Sequence, residues 1–130
     1  MIKVGQHKKA KYWGAFTVEK VAMLCKPIEV HEVHSEEIEK ALFNPTLVRI
    51  KWDKEFHHEF WFPYWIAIND AKEKYGQFAP MMGEDSLLEL LKEAIRQDFF
   101  TDGFLHQLGK TIETRLTSVQ CGKLPEVQAE

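Results

Sequence analysis

The stretch TLVRIKWD, residues 46 to 53, constrains the fold more than any other. Val48, Ile50 and Trp52 fall on one side of an extended chain, and Leu47, Arg49, Lys51 and Asp53 fall on the other. HHEFWF, residues 57 to 62, follows after the short loop KEF, so the two segments read as a hairpin. Matching apolar faces predicts a register in which Asp53 meets His57, Trp52 meets His58, Ile50 meets Phe60 and Val48 meets Phe62. On the other face Lys51 then opposes Glu59, and Arg49 lies over Trp61. A slip of one residue would set Ile50 against Glu59, which the apolar pattern opposes. The loop lacks the glycine that three-residue hairpins favour.

Texture divides the rest of the chain. Up to about residue 65, Val, Ile, Thr, Phe and Trp alternate with period two, and from about 84 onward Leu, Glu, Lys and Ala recur at helical spacing. PIEVHEVHS, from residue 27, reads as a strand, and residues 12 to 25, where Val and Thr favour strand while Ala, Met and Leu favour helix, lean to strand. Ser35 reads as the cap of a short helix, EEIEKALF, that stops before Asn44 and Pro45. PYWIAINDAKEKYG suits a helix with Pro63 in its first turn and Gly76 after its last, or a segment that begins as a strand.

Ser86 and Glu89 form a capping-box pattern ahead of a stripe of Leu87, Leu88, Leu91, Ala94, Ile95 and Phe99, with Leu90 off the stripe. Asp102 reads as the cap of a last helix bearing Phe104, Leu105, Leu108, Ile112 and Leu116. The expectation is an α+β fold, with an antiparallel sheet from the N-terminal half packed against a C-terminal αα-hairpin. Residues 1–118 are expected to form a single domain and residues 119–130 a flexible tail.

Composition narrows the function. The chain is 45% apolar and 28% charged, as in ordinary globular proteins, and holds no apolar run of roughly 18 residues that would suggest a membrane span. Its basic opening meets Glu19 and Lys20 before any small-residue cleavage site, which does not read as an export signal. Two cysteines, Cys25 and Cys121, far apart, point to a reducing cytoplasm. A net charge of −3 speaks against a dedicated nucleic-acid binder, although HKKAKYW places lysines beside rings. Glu29, Glu32, Glu36, Glu37 and Glu39 form an acidic shoulder that would suit an immunity or inhibitor protein facing a basic target. Phosphate-cradling glycine loops and a Gly-x-Ser-x-Gly elbow are absent, so no cofactor is implied.

Chemistry concentrates in EFHHEFWFPYW, residues 55 to 65. Adjacent residues of a strand face opposite ways, so His57 and His58 cannot serve one site. His57 with Glu59 forms a candidate acid–base pair helped by Arg49, weighed against an ordinary solvated hairpin surface. His58 reads as a core histidine. His31 and His34 sit on opposite faces of a strand and do not assemble a metal site, so none is assigned.

Four tryptophans, three tyrosines and nine phenylalanines exceed what a small core needs. Trp61, Phe62, Tyr64 and Trp65 are therefore assigned as an apolar floor for a small molecule or a partner protein. The excess ring surface also points to a homodimer. The leading reading is a non-catalytic binding protein, and the alternative a small hydrolase or isomerase using His57 and Glu59.

Overall fold

The structure, a computed structural model, describes residues 2–30, 36–54, 58–76 and 80–120. The chain divides into two compact units, Met1–Phe99 and Phe100–Glu130. The α+β class expected from the sequence is the one adopted, antiparallel sheet first and two helices last.

In the first unit every strand pairing is antiparallel and centres on one long strand. β1 (His7–Ala10), β2 (Gly14–Met23), β4 (Ala41–Trp52), β6 (Tyr64–Ile68) and β7 (Lys74–Tyr75) follow one another across the sheet, and β3 (Ile28–Glu29) and β5 (His58–Trp61) also pair with β4. Phe43 pairs with both Ile28 and Ile66, and Ile50 with both Val18 and Glu59, so β4 is hydrogen-bonded along both edges. Pairing on both sides explains why Ala41, Leu42 and Phe43 join a strand rather than the short helix expected from EEIEKALF. Tertiary partners override a local preference of a few tenths of a kcal/mol, roughly, per residue. β5 and β6 keep one offset along β4, with Val48 opposite Trp61 and Asn44 opposite Trp65. They are one run interrupted at Phe62 and Pro63, where the proline carbonyl still accepts a hydrogen bond from the Thr46 N–H at 2.9 Å.

Of the two readings of residues 63 to 76, a helix or a segment that begins as a strand, the second is adopted, as β6, a turn and β7. Asn69 (φ 51°) and Asp70 (φ 62°) both take left-handed backbone, and the Ala71 N–H closes the turn onto the Ile68 carbonyl at 2.9 Å. Paired left-handed residues match the twist of an antiparallel ribbon, and Asn and Asp tolerate that conformation.

A bulge sets the two faces of the sheet. Val18 pairs with Ile50 but Lys20 with Arg49, so Glu19 is an extra residue in β2. Before it Phe16 and Val18 face the core, and after it Val21 does, opposite Val48. The core is Ile2, Phe16, Val18, Val48, Ile50 and Trp65, with Ala10, Val21, Trp52 and Trp61 packed against it. Lys20 and Ala22 therefore turn to the other face with Arg49 and Leu47.

That second face carries α1 (Glu84–Arg96), which packs on β2 and β4. The helix starts after Gly83 with no side-chain cap, so the Ser86 and Glu89 capping box does not form and Ser86 sits inside the helix. Glu84 and Asp85 in the first turn meet its positive end instead. Its buried residues are Leu90 and Ala94, whereas Leu87, Leu88 and Ile95 are exposed. The buried positions are thus Leu90, which the apolar spacing leaves off the stripe, and Ala94, which it places on it. The end of α1 is a Schellman turn: Phe99 N–H bonds the Ala94 carbonyl at 3.0 Å and Asp98 N–H the Ile95 carbonyl at 3.1 Å. Asp98 takes the left-handed position (φ 58°) and Phe99 is buried beyond it.

The second unit contains α2 (Asp102–Gln120), which runs past the expected domain end at 118. Thr101, rather than Asp102, caps it, accepting the Phe104 N–H on Oγ1 at 3.2 Å. Phe104, Leu108, Ile112 and Leu116 along it are exposed. Residues 121–130, most of the expected tail, lie outside the described residues. Among the described residues no helix is long and apolar enough to cross a membrane.

Candidate functional site

The register of β4 against β5 decides what the aromatic stretch can do, and it is the slipped one. Val48 faces Trp61, Arg49 faces Phe60, Ile50 faces Glu59 and Lys51 faces His58, one residue away from the register that the apolar pattern predicts. The slip is tolerated because Glu59, although on the core-side face, is held by the Trp52 indole N–H at 2.7 Å at the edge of a hollow. In exchange the large Trp61 ring, rather than Phe60, packs against the core, and Phe60 is 49% exposed.

His58 is consequently a surface residue on the opposite face and not a core histidine. Its Nδ1 pairs with the Glu19 carboxylate, which also accepts from Arg49 Nε at 3.3 Å. Arg49 has a further task on that face. It donates to the carbonyls of Asp98 (2.9 Å) and Phe99 (3.3 Å), while Lys20 Nζ donates to those of Gln97 (2.6 Å) and Asp98 (3.1 Å). Two cations thus meet the negative end of α1, so Arg49 holds the helix in place. The bulge at Glu19 is what brings Lys20 beside Arg49.

The sequence-derived acid–base trio is divided by this geometry. Arg49 and Glu59 lie on opposite faces of the sheet, and His57 lies outside the described residues, as do His31 and His34. Among the described residues no three metal-ligating side chains converge. The four residues assigned as a floor are likewise split. Trp61 and Trp65 share the core face, with ring centroids 6.3 Å apart, and Trp65 is buried. Tyr64 belongs to the other face, its ring 4.9 Å from that of Phe43, and Phe62 is half-buried at the break between β5 and β6. Much of the apparent ring surplus is absorbed inside the first unit. Trp61 lies edge-on to Phe16 (5.8 Å), which meets Trp52 (5.3 Å), and Tyr75 sits about 6 Å from both Trp61 and Trp65.

What remains open to solvent is a hollow of about 370 Å³ between the two edge strands β1 and β5. Phe16, Ile50, Trp52 and Trp61 make its apolar walls, and Lys8 and Glu59 stand on opposite sides. Lys8 pairs with Phe16 and is half-buried, so its stem runs along the aromatic wall. Among the described residues no carboxylate lies within ion-pair distance of its ammonium. A second hollow of about 800 Å³ shares Trp52 and Glu59 and extends past Trp13, which is 79% exposed at the tip of the β1–β2 hairpin. Of this set the sequence singles out Trp61 and Glu59, but not Phe16, Trp52 or Lys8. The spacing of Lys8, Ala10 and Phe16, Val18 in two alternating segments was the available signal. No protein-family model, curated protein or solved structure matches the chain.

Proposed function

We propose that this protein is a non-catalytic binding protein for a small, flat, apolar molecule bearing one anionic group. The observation that carries this reading is the hollow of about 370 Å³ walled by Phe16, Ile50, Trp52 and Trp61 with Lys8 at its side. Pockets for small molecules are of this size, mostly apolar, with a few polar groups that fix orientation. Edge-to-face indole and phenyl rings favour a planar guest. Lys8 favours an anion on the β1 side, and Glu59, already bonded to Trp52, disfavours one on the β5 side. A catalytic reading of Glu59 would have to do without Arg49, which faces away.

The experiment is a titration of the protein with 2-naphthoate and, in parallel, with neutral 2-naphthamide, followed through tryptophan emission. Saturable quenching by the acid, at least several-fold tighter than by the amide, is expected. Lys8→Met should remove that preference, and Trp61→Ala should weaken both ligands. Equal binding of acid and amide would remove the anionic requirement. Lack of saturation by either in a folded protein would return the rings to plain core.

A further inference from the structure

Four lysines and two uncovered rings gather at one end of the sheet. Because Phe16 pairs with both Lys8 and Trp52, the β1–β2 hairpin turns at the same end at which β4 finishes. The hairpin tip is Lys11, Tyr12 and Trp13, closed by the Trp13 N–H on the Ala10 carbonyl at 3.4 Å and by Gly14 in left-handed backbone (φ 98°). Tyr12 and Trp13 are each 79% exposed, and among the described residues neither ring meets another. Lys9 and Lys11 flank them from the hairpin, and Lys51 and Lys54 from the end of β4. All four lysines are exposed, and among the described residues no carboxylate lies within ion-pair distance of any of them. Asp53 and Glu59, the acids described at this end, are bonded to His7 Nε2 at 2.8 Å and to the Trp52 indole at 2.7 Å.

We infer that this end of the sheet docks on an anionic lipid bilayer, with Tyr12 and Trp13 in the headgroup layer and Lys9, Lys11, Lys51 and Lys54 against the anionic headgroups. Phenol and indole rings have an apolar body and a polar tip, which is why they settle at the level of the headgroups. Lys11 already lies over Tyr12, its Nζ 5.3 Å from the ring centroid, so ring and charge enter together.

Charge over the whole chain orients the contact. The net charge is −3, and Glu36, Glu37 and Glu39 stand before Ala41, at the far end of β4 and roughly 35 Å of strand away. A negatively charged surface therefore attracts this chain by the lysine end and repels it by the other. Shape selects the same partner. The three-residue tip is too small for a specific protein interface of roughly 1,000 Å², and it is convex, whereas proteins that stack single-stranded bases hold them in a groove. Among the described residues no helix can cross a membrane, so the chain would lie on the bilayer and not span it.

Neither Tyr12 nor Trp13 lines the hollow assigned to the small ligand, so this inference stands apart from that reading. The test is cosedimentation of the full chain with vesicles of phosphatidylcholine alone or with about 30% phosphatidylserine. Binding to the phosphatidylserine vesicles with a blue shift of tryptophan emission is expected, weakening at about 0.5 M salt. Lys9→Gln with Lys11→Gln should lower partition about twentyfold, at about fivefold per lysine. Tyr12→Ala with Trp13→Ala should lower it at least about tenfold, with ellipticity unchanged. No binding to phosphatidylserine vesicles by the folded chain overturns the proposal, and equal binding to both vesicles overturns the anionic requirement. Binding that survives the Tyr12 and Trp13 substitutions places the contact elsewhere and overturns it as well. Retention of oligothymidylate that is lost with Trp13→Ala, without vesicle binding, assigns the tip to single-stranded nucleic acid instead.

Discussion

Two residues with the same backbone conformation show how side-chain bonding sets the value of a position. Asn69 and Asp98 both occupy left-handed backbone, which costs an ordinary residue about 1 kcal/mol relative to glycine. The Asn69 side chain accepts the N–H groups of Glu39 (2.7 Å) and Lys40 (3.0 Å) and donates to the Glu37 carbonyl (2.8 Å), tying residues 37 to 40 to the end of β6. The Asp98 carboxylate makes no such bond among the described residues, where Asp98 bonds only through its backbone N–H and carbonyl. The same substitution should therefore act with opposite sign. Asp98→Gly is expected to stabilise by about 1 kcal/mol, and Asn69→Gly to destabilise by about 1–2 kcal/mol once three exposed hydrogen bonds are lost. Urea midpoints at unchanged slope check both.

Side-chain bonding also sets the titration of Glu93, inside α1, whose carboxyl pKa is lowered from 4.5 to about 2, first by the hydrogen bond from Arg96 and then by that from Gln97. The contribution of a depressed carboxyl is fully present above pH 4.5 and is lost as pH falls toward 2. Arg96→Ala should return the Glu93 titration toward 4.5, read by carbon NMR of its carboxyl. An unmoved titration would assign the shift to Gln97 alone.

At the scale of elements, alternation locates β4 from Thr46 onward and helical spacing locates α1 and α2, because those periods survive whatever the partners are, whereas β2 mixes strand-favouring Val and Thr with helix-favouring Ala and Met and its bulge breaks the alternation. Register and facing did not survive, for physical reasons. Val48, Ile50 and Trp52 can oppose either Phe60 and Phe62 or Glu59 and Trp61, and the indole hydrogen bond from Trp52 to Glu59 that permits the second pairing is a tertiary contact. For α1, Leu87, Leu88, Leu91 and Ile95 make as good a stripe as Leu90 and Ala94, and the cations at Lys20 and Arg49 that hold its end come from strands far away in sequence. The candidate site suffered in the same way: the floor was sought along one segment, whereas a strand supplies only every second residue and the other walls come from β1 and β2.

Leu90→Ala should therefore cost about 2–4 kcal/mol and Leu88→Ala less than about 1 kcal/mol, a ranking opposite to that of the sequence stripe. Deleting Glu19 tests the bulge. Without it, Val18, Lys20 and Val21 follow one another in plain alternation and keep Ile50, Arg49 and Val48 as partners, so every facing is preserved and what is lost is the carboxylate that meets His58 and Arg49. A cooperative urea transition with a modestly lowered midpoint is the expected result, and loss of cooperativity would show that the kink at the bulge is itself required.

At the scale of the molecule, the division at residue 99 separates two different kinds of stability. The first unit is held by a core of Ile2, Phe16, Val18, Val48, Ile50 and Trp65 on one face of the sheet and by α1 packed on the other, so its folding is intramolecular and independent of concentration. The second is a helix whose apolar side is exposed, so its order depends on whatever covers that side. All four tryptophans, Trp13, Trp52, Trp61 and Trp65, belong to the first unit, whereas α2 contributes the longer of the two helices to far-UV ellipticity. The two signals therefore report different units of one chain. Thermal unfolding followed by emission and by ellipticity should give non-coincident transitions, with the ellipticity transition the lower of the two. Coincident transitions at every concentration would show that α2 draws its stability from the sheet, making the chain one cooperative unit.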